Sequence, residues 1–162
     1  MLSRAPHMAA TGLSPTGESQ ITPYIGFKEA AGAIDFYARA FAAKESLRLT
    51  EPSGRIGHAE LTIEGAPLML SDEYPDFGAL SAQTLGGSPI KLHLYVADVD
   101  TFVQRAVKTG ATLLRPVKDE FYGDRVGHIA DPFGYHWIIA SRKEPVSPEE
   151  AQRRWSAMLG ST

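Results

Sequence analysis

The stretch RIGHAEL, residues 55–61, returns as RVGHIAD at residues 125–131, seventy positions later. In a chain of 162 residues, such a repeat points to two copies of one unit. A duplication requires the flanking elements to repeat in the same order, and they do.

Around the first copy, ITPYIGF (21–27) is rich in β-branched and aromatic residues and reads as a strand. KEAAGAIDFYARAFAAK (28–44) places Ala33, Ile34, Tyr37, Ala40 and Phe41 at three- and four-residue spacing, which predicts an amphipathic helix. ESLRLT (45–50), RIGHAELTI (55–63) and APLMLSD (66–72) then read as strands separated by tight turns. The first β-α-β-β-β module therefore spans residues 21–73. YPDFGALSAQTLGGSP holds turn formers without a period, so residues 74–88 are expected to be a linker loop. The second module spans residues 89–142. It comprises PIKLHLYV (89–96), a helix over 98–110 with Asp98 as N-cap and Gly110 as stop, then ATLLRPV (111–117), FYGDRVGHIA (121–130) and YHWIIAS (135–141). SPEEAQRRWSAMLG (147–160) is one more helix, with Ser147 as cap, Pro148 at the first helical position and Glu150 completing a capping box. Its Trp155 is available to dock on the body or on a second subunit.

Aligning the copies pairs Tyr24 with His93, His58 with His128, and Met69 with Ile138. Strand alternation then sorts the faces. Ala59, Leu61 and Ile63 share one side of their strand, as Ile90, Leu92, Leu94 and Val96 do of theirs, and these pack on the helices. The opposite side receives Tyr24, His58, Glu60, Thr62, Lys91, His93, Tyr95, His128 and His136. Four of the five histidines therefore fall on one inferred face, with His7 in the leader as the exception.

Composition narrows the function. Apolar residues make up 43% and charged residues 22%, as in ordinary globular chains. A net charge of −3 provides no basic footprint, so nucleic acid is not an expected partner. The absence of cysteine removes disulfides, thiolate nucleophiles and thiolate-bound metal. No apolar run approaches the ~20 residues of a membrane span, so no membrane partner is expected. Residues 1–20 lack the apolar core of a signal peptide and are expected to be a flexible leader, with the cytoplasm as compartment. There is no GxSxG, no phosphate-binding glycine loop and no HExxH. Asp131, in DPFG, reads as a turn residue without catalytic duty.

Tandem β-α-β-β-β modules resemble the vicinal oxygen chelate superfamily, which contains glyoxalase I, bleomycin-resistance proteins and extradiol dioxygenases. The phrases ITPYIGFKEAAGAIDFYARAF, GHAELTIEGAPLMLSDE, HLYVADVDTFVQRAVKTGA and FYGDRVGHIADPFGYHW resemble its PhnB-like branch. The resemblance implies an α+β fold in which eight strands form a cup-shaped sheet with helices outside, and a homodimer. It also implies that a metal, where present, is held from the first and last strands of each module. Here those positions are Tyr24, Met69, His93 and Ile138, and only His93 is a usual ligand.

The cup-face residues admit three readings. In the first, the histidines are hydrogen-bonded parts of a polar wall. In the second, they line a pocket for a planar or oxygen-rich small molecule, with ligand-binding residues Tyr24, His58, His93, Tyr95, Tyr122, Arg125, His128 and His136. In the third, they form a displaced metal site from His58, Glu60, His93 and His128. The expectation is a protein that binds or sequesters an aromatic or oxygenated metabolite or antibiotic, with no cofactor. The alternative is a metal-dependent lyase, isomerase or dioxygenase with His93 and Glu60 as catalytic groups and a divalent ion as cofactor.

Overall fold

A computed structural model describes residue 14 and residues 19–160, so the expected leader falls almost wholly outside the described residues. Module one contains β1 (Tyr24–Phe27), α1 (Ala30–Phe41), β2 (Lys44–Thr50), β3 (Ile56–Ile63) and β4 (Ala66–Asp72). Module two repeats the order with β5 (Lys91–Tyr95), α3 (Val99–Thr109), β6 (Thr112–Asp119), β7 (Asp124–Ala130) and β8 (His136–Arg142). Between them, the connection is more structured than turn-former content alone suggests. Pro75–Phe77 makes one 3₁₀ turn, and Ala82–Leu85 forms a short helix, α2, capped by the Ser81 hydroxyl.

Each module builds its own four-stranded sheet, in the orders β1-β4-β3-β2 and β5-β8-β7-β6. The first and last strands of each module run parallel and side by side; the remaining pairs are antiparallel. The fold is thus α+β with tandem β-α-β-β-β modules, and its eight strands form two four-stranded ladders that are not closed into a barrel.

Burial follows the alternation. In β3, Ile56, Ala59, Leu61 and Ile63 are buried, while His58, Glu60 and Thr62 are only partly covered. The buried side of β3 packs on α1, α3 covers β6, β7 and β8 of the second sheet, and the two helices pack on each other; Arg105 Nε of α3 donates to the Ala40 carbonyl of α1 at 2.8 Å. One core spans both modules. Its centre is aromatic: the Trp137 ring from module two lies 4.9 Å from Phe41 and 5.6 Å from Tyr37, and Phe133 and Tyr135 each lie 5.4 Å from Phe27.

Polar ties reinforce this junction. Asp131 is 5% exposed. Its Oδ1 accepts from the Phe133 and Tyr135 amides, and its Oδ2 accepts from Tyr37 Oη at 2.5 Å and Trp137 Nε1 at 2.9 Å. The turn residue of the sequence reading is therefore a buried hub joining α1 to β8. Tyr135 Oη donates to the Gly26 carbonyl at 2.6 Å. Gly26 has no room for a side chain, because a Cβ there would stand 2.9 Å from the Leu80 carbonyl oxygen.

The copies also share a way of starting their helices. Asp72, at the end of β4, accepts from the Ala30 amide at 2.7 Å and from the Ile56 amide at 2.6 Å. Its counterpart Ser141, near the end of β8, accepts from the Val99 amide at 2.9 Å. Each module thus caps its helix N-terminus from its last strand. Asp98 also caps α3, as the sequence indicates.

The final helix, α4 (Pro148–Leu159), starts at Ser147, whose hydroxyl accepts from the Glu150 amide. The Glu150 carboxylate does not complete a capping box; it turns to Arg153 and Arg154. Arg154 bonds the Phe121 carbonyl, and the Trp155 ring lies 5.6 Å from Phe121, so α4 docks on the β6–β7 turn. Among the described residues, no helix is long and apolar enough to cross a membrane.

Candidate functional site

The strand register aligns the duplicated positions. Tyr24 pairs with Met69 across β1 and β4, and His93 pairs with Ile138 across β5 and β8. The four positions that the resemblance implies for a metal are thus adjacent side-chain pairs, one pair per sheet. Their donor set is one imidazole, one phenol, one thioether and one alkyl group. It does not fit a divalent ion, which needs three or four nitrogen or oxygen donors.

On the open face of sheet one, Tyr24, His58 and Glu60 are joined in a chain. Tyr24 Oη lies 2.8 Å from His58 Nδ1, and His58 Nε2 lies 3.0 Å from Glu60 Oε1. The register explains the meeting. Glu60 pairs with Met69 and Met69 pairs with Tyr24, so all three lie in one row across the sheet, with His58 two residues from Glu60 on the same side.

Sheet two holds different chemistry in the same frame. His128 Nδ1 lies 2.9 Å from His136 Nε2. Both imidazoles are held below the usual histidine range, mainly by burial, with Lys91 and Arg115 adding to the effect. The His93 ring lies 4.9 Å from Tyr95. Tyr95 donates to Asp124 Oδ2 at 2.6 Å, while Asp124 Oδ1 lies 2.9 Å from Arg142 Nε, outside hydrogen-bonding geometry. Tyr122, beside this group, is pushed up by burial and then by the negative charge of Glu120 and Asp124.

Two expected groups are arranged in ways the sequence does not show. Arg125 turns away from Asp124, since adjacent strand residues point to opposite sides. Arg125 Nε and Nη2 grip both oxygens of Asp100 at 2.7 and 2.9 Å, and Nη1 reaches Asp119 at 3.1 Å. Three of the five N–H donors of Arg125 are thus committed to carboxylates of its own chain. The displaced metal set His58, Glu60, His93 and His128 is divided between the two sheets. Among the described residues, no three His, Asp, Glu or Cys side chains gather in a group that could hold a metal ion.

Where β1 and β5 face each other, two hollows open. One, of about 310 Å³, is lined by Tyr24, Gly26, Leu80, Leu85, Ile90 and Tyr135; the other, of about 390 Å³, by Ile63, Leu68, Ile90, Leu92, His93 and Trp137. A third, of about 440 Å³, lies on the far side of Tyr24 beside Glu51, Tyr74 and Phe77. These sizes suit small organic ligands. Arg142 and the linker residues Leu80 and Leu85 were not expected at the site. Arg142 carries no local motif, and the linker reaches the hollow only because the two modules meet there.

Residues 21–139 match the Glyoxalase/Bleomycin resistance protein/Dioxygenase superfamily. An uncharacterized protein of Mycobacterium bovis is 40% identical over 143 residues, covering 86% of this chain and 94% of that protein. An uncharacterized protein of Mycobacterium tuberculosis is 37% identical over 159 residues, covering 96% of this chain and 94% of that protein. Among solved structures, TioX from Micromonospora sp. ML1 shares the fold at a TM-score of 0.61 and 23% identity, covering 80% of this chain and all of that one. The PhnB protein from Bacillus cereus does so at 0.58 and 18%, covering 76% and 99%. By its duplicated modules, their strand register and this match, the chain belongs to the glyoxalase/bleomycin resistance protein/dioxygenase superfamily.

Proposed function

We propose that the chain is a small-molecule-binding protein that lacks the superfamily's usual metal site and holds an aromatic or oxygenated metabolite or antibiotic. One observation carries the reading. The duplicated positions Tyr24 and His93, beside the non-ligands Met69 and Ile138, each line a hollow at the seam between the modules. Apolar walls from Leu85, Ile90 and Leu92 in one hollow and Leu68, Ile90 and Leu92 in the other supply area for a ring, and Tyr24 and His93 supply polar contacts at its edge. The protein is read as a cytoplasmic homodimer. The outer strands β2 and β6 support the dimer, because they expose Leu47, Leu49, Leu113 and Leu114 on free sheet edges.

A thermal-shift screen against aromatic antibiotics, phenols and 2-oxo acids tests the binding. The expected result is a concentration-dependent rise in melting temperature with at least one aromatic class, reduced in His93→Ala. Metal analysis after incubation with zinc, nickel, manganese and iron tests the remainder. Stoichiometric metal lost on His93→Ala would overturn the reading in favour of a metal-dependent enzyme. Light scattering at micromolar concentration should give the mass of two chains.

A further inference from the structure

We propose that Tyr24, His58 and Glu60 form a proton relay whose outer end, the Tyr24 hydroxyl oxygen, takes the proton of a hydroxyl-bearing ligand, a phenol or an enol. This rests on the reading that the chain binds a small molecule, and it names the class of that molecule.

The direction of the relay follows from hydrogen-bond chemistry. An ionised Glu60 can only accept, so the hydrogen of a neutral His58 ring belongs on Nε2, 3.0 Å from Glu60 Oε1. Nδ1 then carries a lone pair, and the partner 2.8 Å away, Tyr24 Oη, must be the donor. With its proton committed inward, the hydroxyl presents acceptor lone pairs outward. Tyr24 is 54% exposed and lines hollows of about 310 and 440 Å³, so a ligand can reach that oxygen.

The transfer balances. The ligand O–H bond breaks and its proton passes to Tyr24 Oη, while the tyrosine's own proton moves to His58 Nδ1. The ligand is left as an oxyanion and His58 as an imidazolium, whose charge Glu60 offsets at 3.0 Å. This is the logic of a carboxylate–histidine–hydroxyl triad, with tyrosine as the terminal group. Tyr24 touches the ligand; His58 and Glu60 position and drain it. Module two cannot do the same. Its counterparts are His93, His128 and Ala130, so the carboxylate is missing, and His128 turns to His136 instead.

Two measurements test this. In ¹⁵N-histidine NMR of the full, ligand-free chain, His58 should carry its hydrogen on Nε2 and an unprotonated Nδ1. In Glu60→Gln the two tautomers should mix. An unprotonated Nε2 in the unaltered protein overturns the relay, whatever the chain binds. Titration with 4-nitrophenol and 4-nitroanisole tests the ligand class. The phenol should bind about tenfold more tightly than its methyl ether and show the phenolate absorption band when bound. Tyr24→Phe should abolish both effects with an unchanged melting temperature, and Glu60→Gln should weaken the band. Equal affinity for the two probes, binding of neither, or a band retained in Tyr24→Phe overturns the proposal, while the aromatic screen decides separately whether the chain binds small molecules.

Discussion

Tyr24 and His93 occupy the same place in two copies of one module, yet Tyr24 is hydrogen-bonded to a histidine backed by a carboxylate and His93 rests against the ring of Tyr95. Duplication has kept the frame and let the chemistry diverge. The consequences are open to direct measurement.

The His128–His136 pair should make stability pH-dependent. Both rings are held below the ordinary histidine value of about 6.5, first by burial; His128 is lowered next by His136 and then by Arg115 and Lys91, with Glu120 acting in the opposite sense, and His136 by Lys91 and Arg115. The folded state therefore binds fewer protons than the unfolded chain in mildly acidic solution. Stability is full above the ordinary value and declines as pH falls through it. Melting curves between about pH 5 and 8 should show a lower melting temperature at the acid end. The slope should flatten in His128→Gln and His136→Gln. An unchanged slope in both variants would assign the dependence to other groups.

Asp131 should be among the most sensitive positions. Alanine there leaves two amides, the Tyr37 hydroxyl and the Trp137 indole without their acceptor inside the core. The expected loss is about 3–5 kcal/mol in urea unfolding. Tyr37→Phe removes a single donor and should cost about 1–2 kcal/mol. A loss below about 1 kcal/mol for Asp131→Ala would contradict the hub.

Asp72 holds both the start of α1 and the first residue of β3. Asp72→Ala should cost about 2 kcal/mol. Asp72→Ser reproduces the arrangement of Ser141 in module two, so it should recover the helix cap but not the bond to Ile56. Chemical denaturation of the three proteins should rank them wild type, serine, alanine.

Arg125→Ala should leave 4-nitrophenol binding unchanged, because the guanidinium is already divided between Asp100 and Asp119. Its effect on stability should stay within about 1 kcal/mol, as befits partly exposed ion pairs. A tenfold fall in affinity would return Arg125 to the ligand site.

Gly123 has φ of +97°, and a Cβ there would stand 2.4 Å from the Glu144 carbonyl oxygen. Gly123→Ala should destabilise the protein by about 1–3 kcal/mol, and hydrogen exchange should quicken where the Lys143 and Glu144 amides bond the Gly123 carbonyl.

By itself, the sequence determined the duplication, the order of strands and helices within each module, and the side of each strand on which Tyr24, His58, Glu60, His93 and His128 lie. A period of two or 3.6 is a local property of the chain, so it is written residue by residue. The tertiary structure decided which of those side chains touch. His58 meets Glu60 and Tyr24 because the β1–β4–β3 register sets Tyr24, Met69 and Glu60 in one row, and the four-residue metal set separates because its members belong to two sheets. It also decided that Asp131, whose sequence neighbourhood reads only as a turn, is buried at the junction of the modules. Contact across a sheet or between modules depends on pairing register and on how two cores fuse, and neither leaves a periodic trace in the chain.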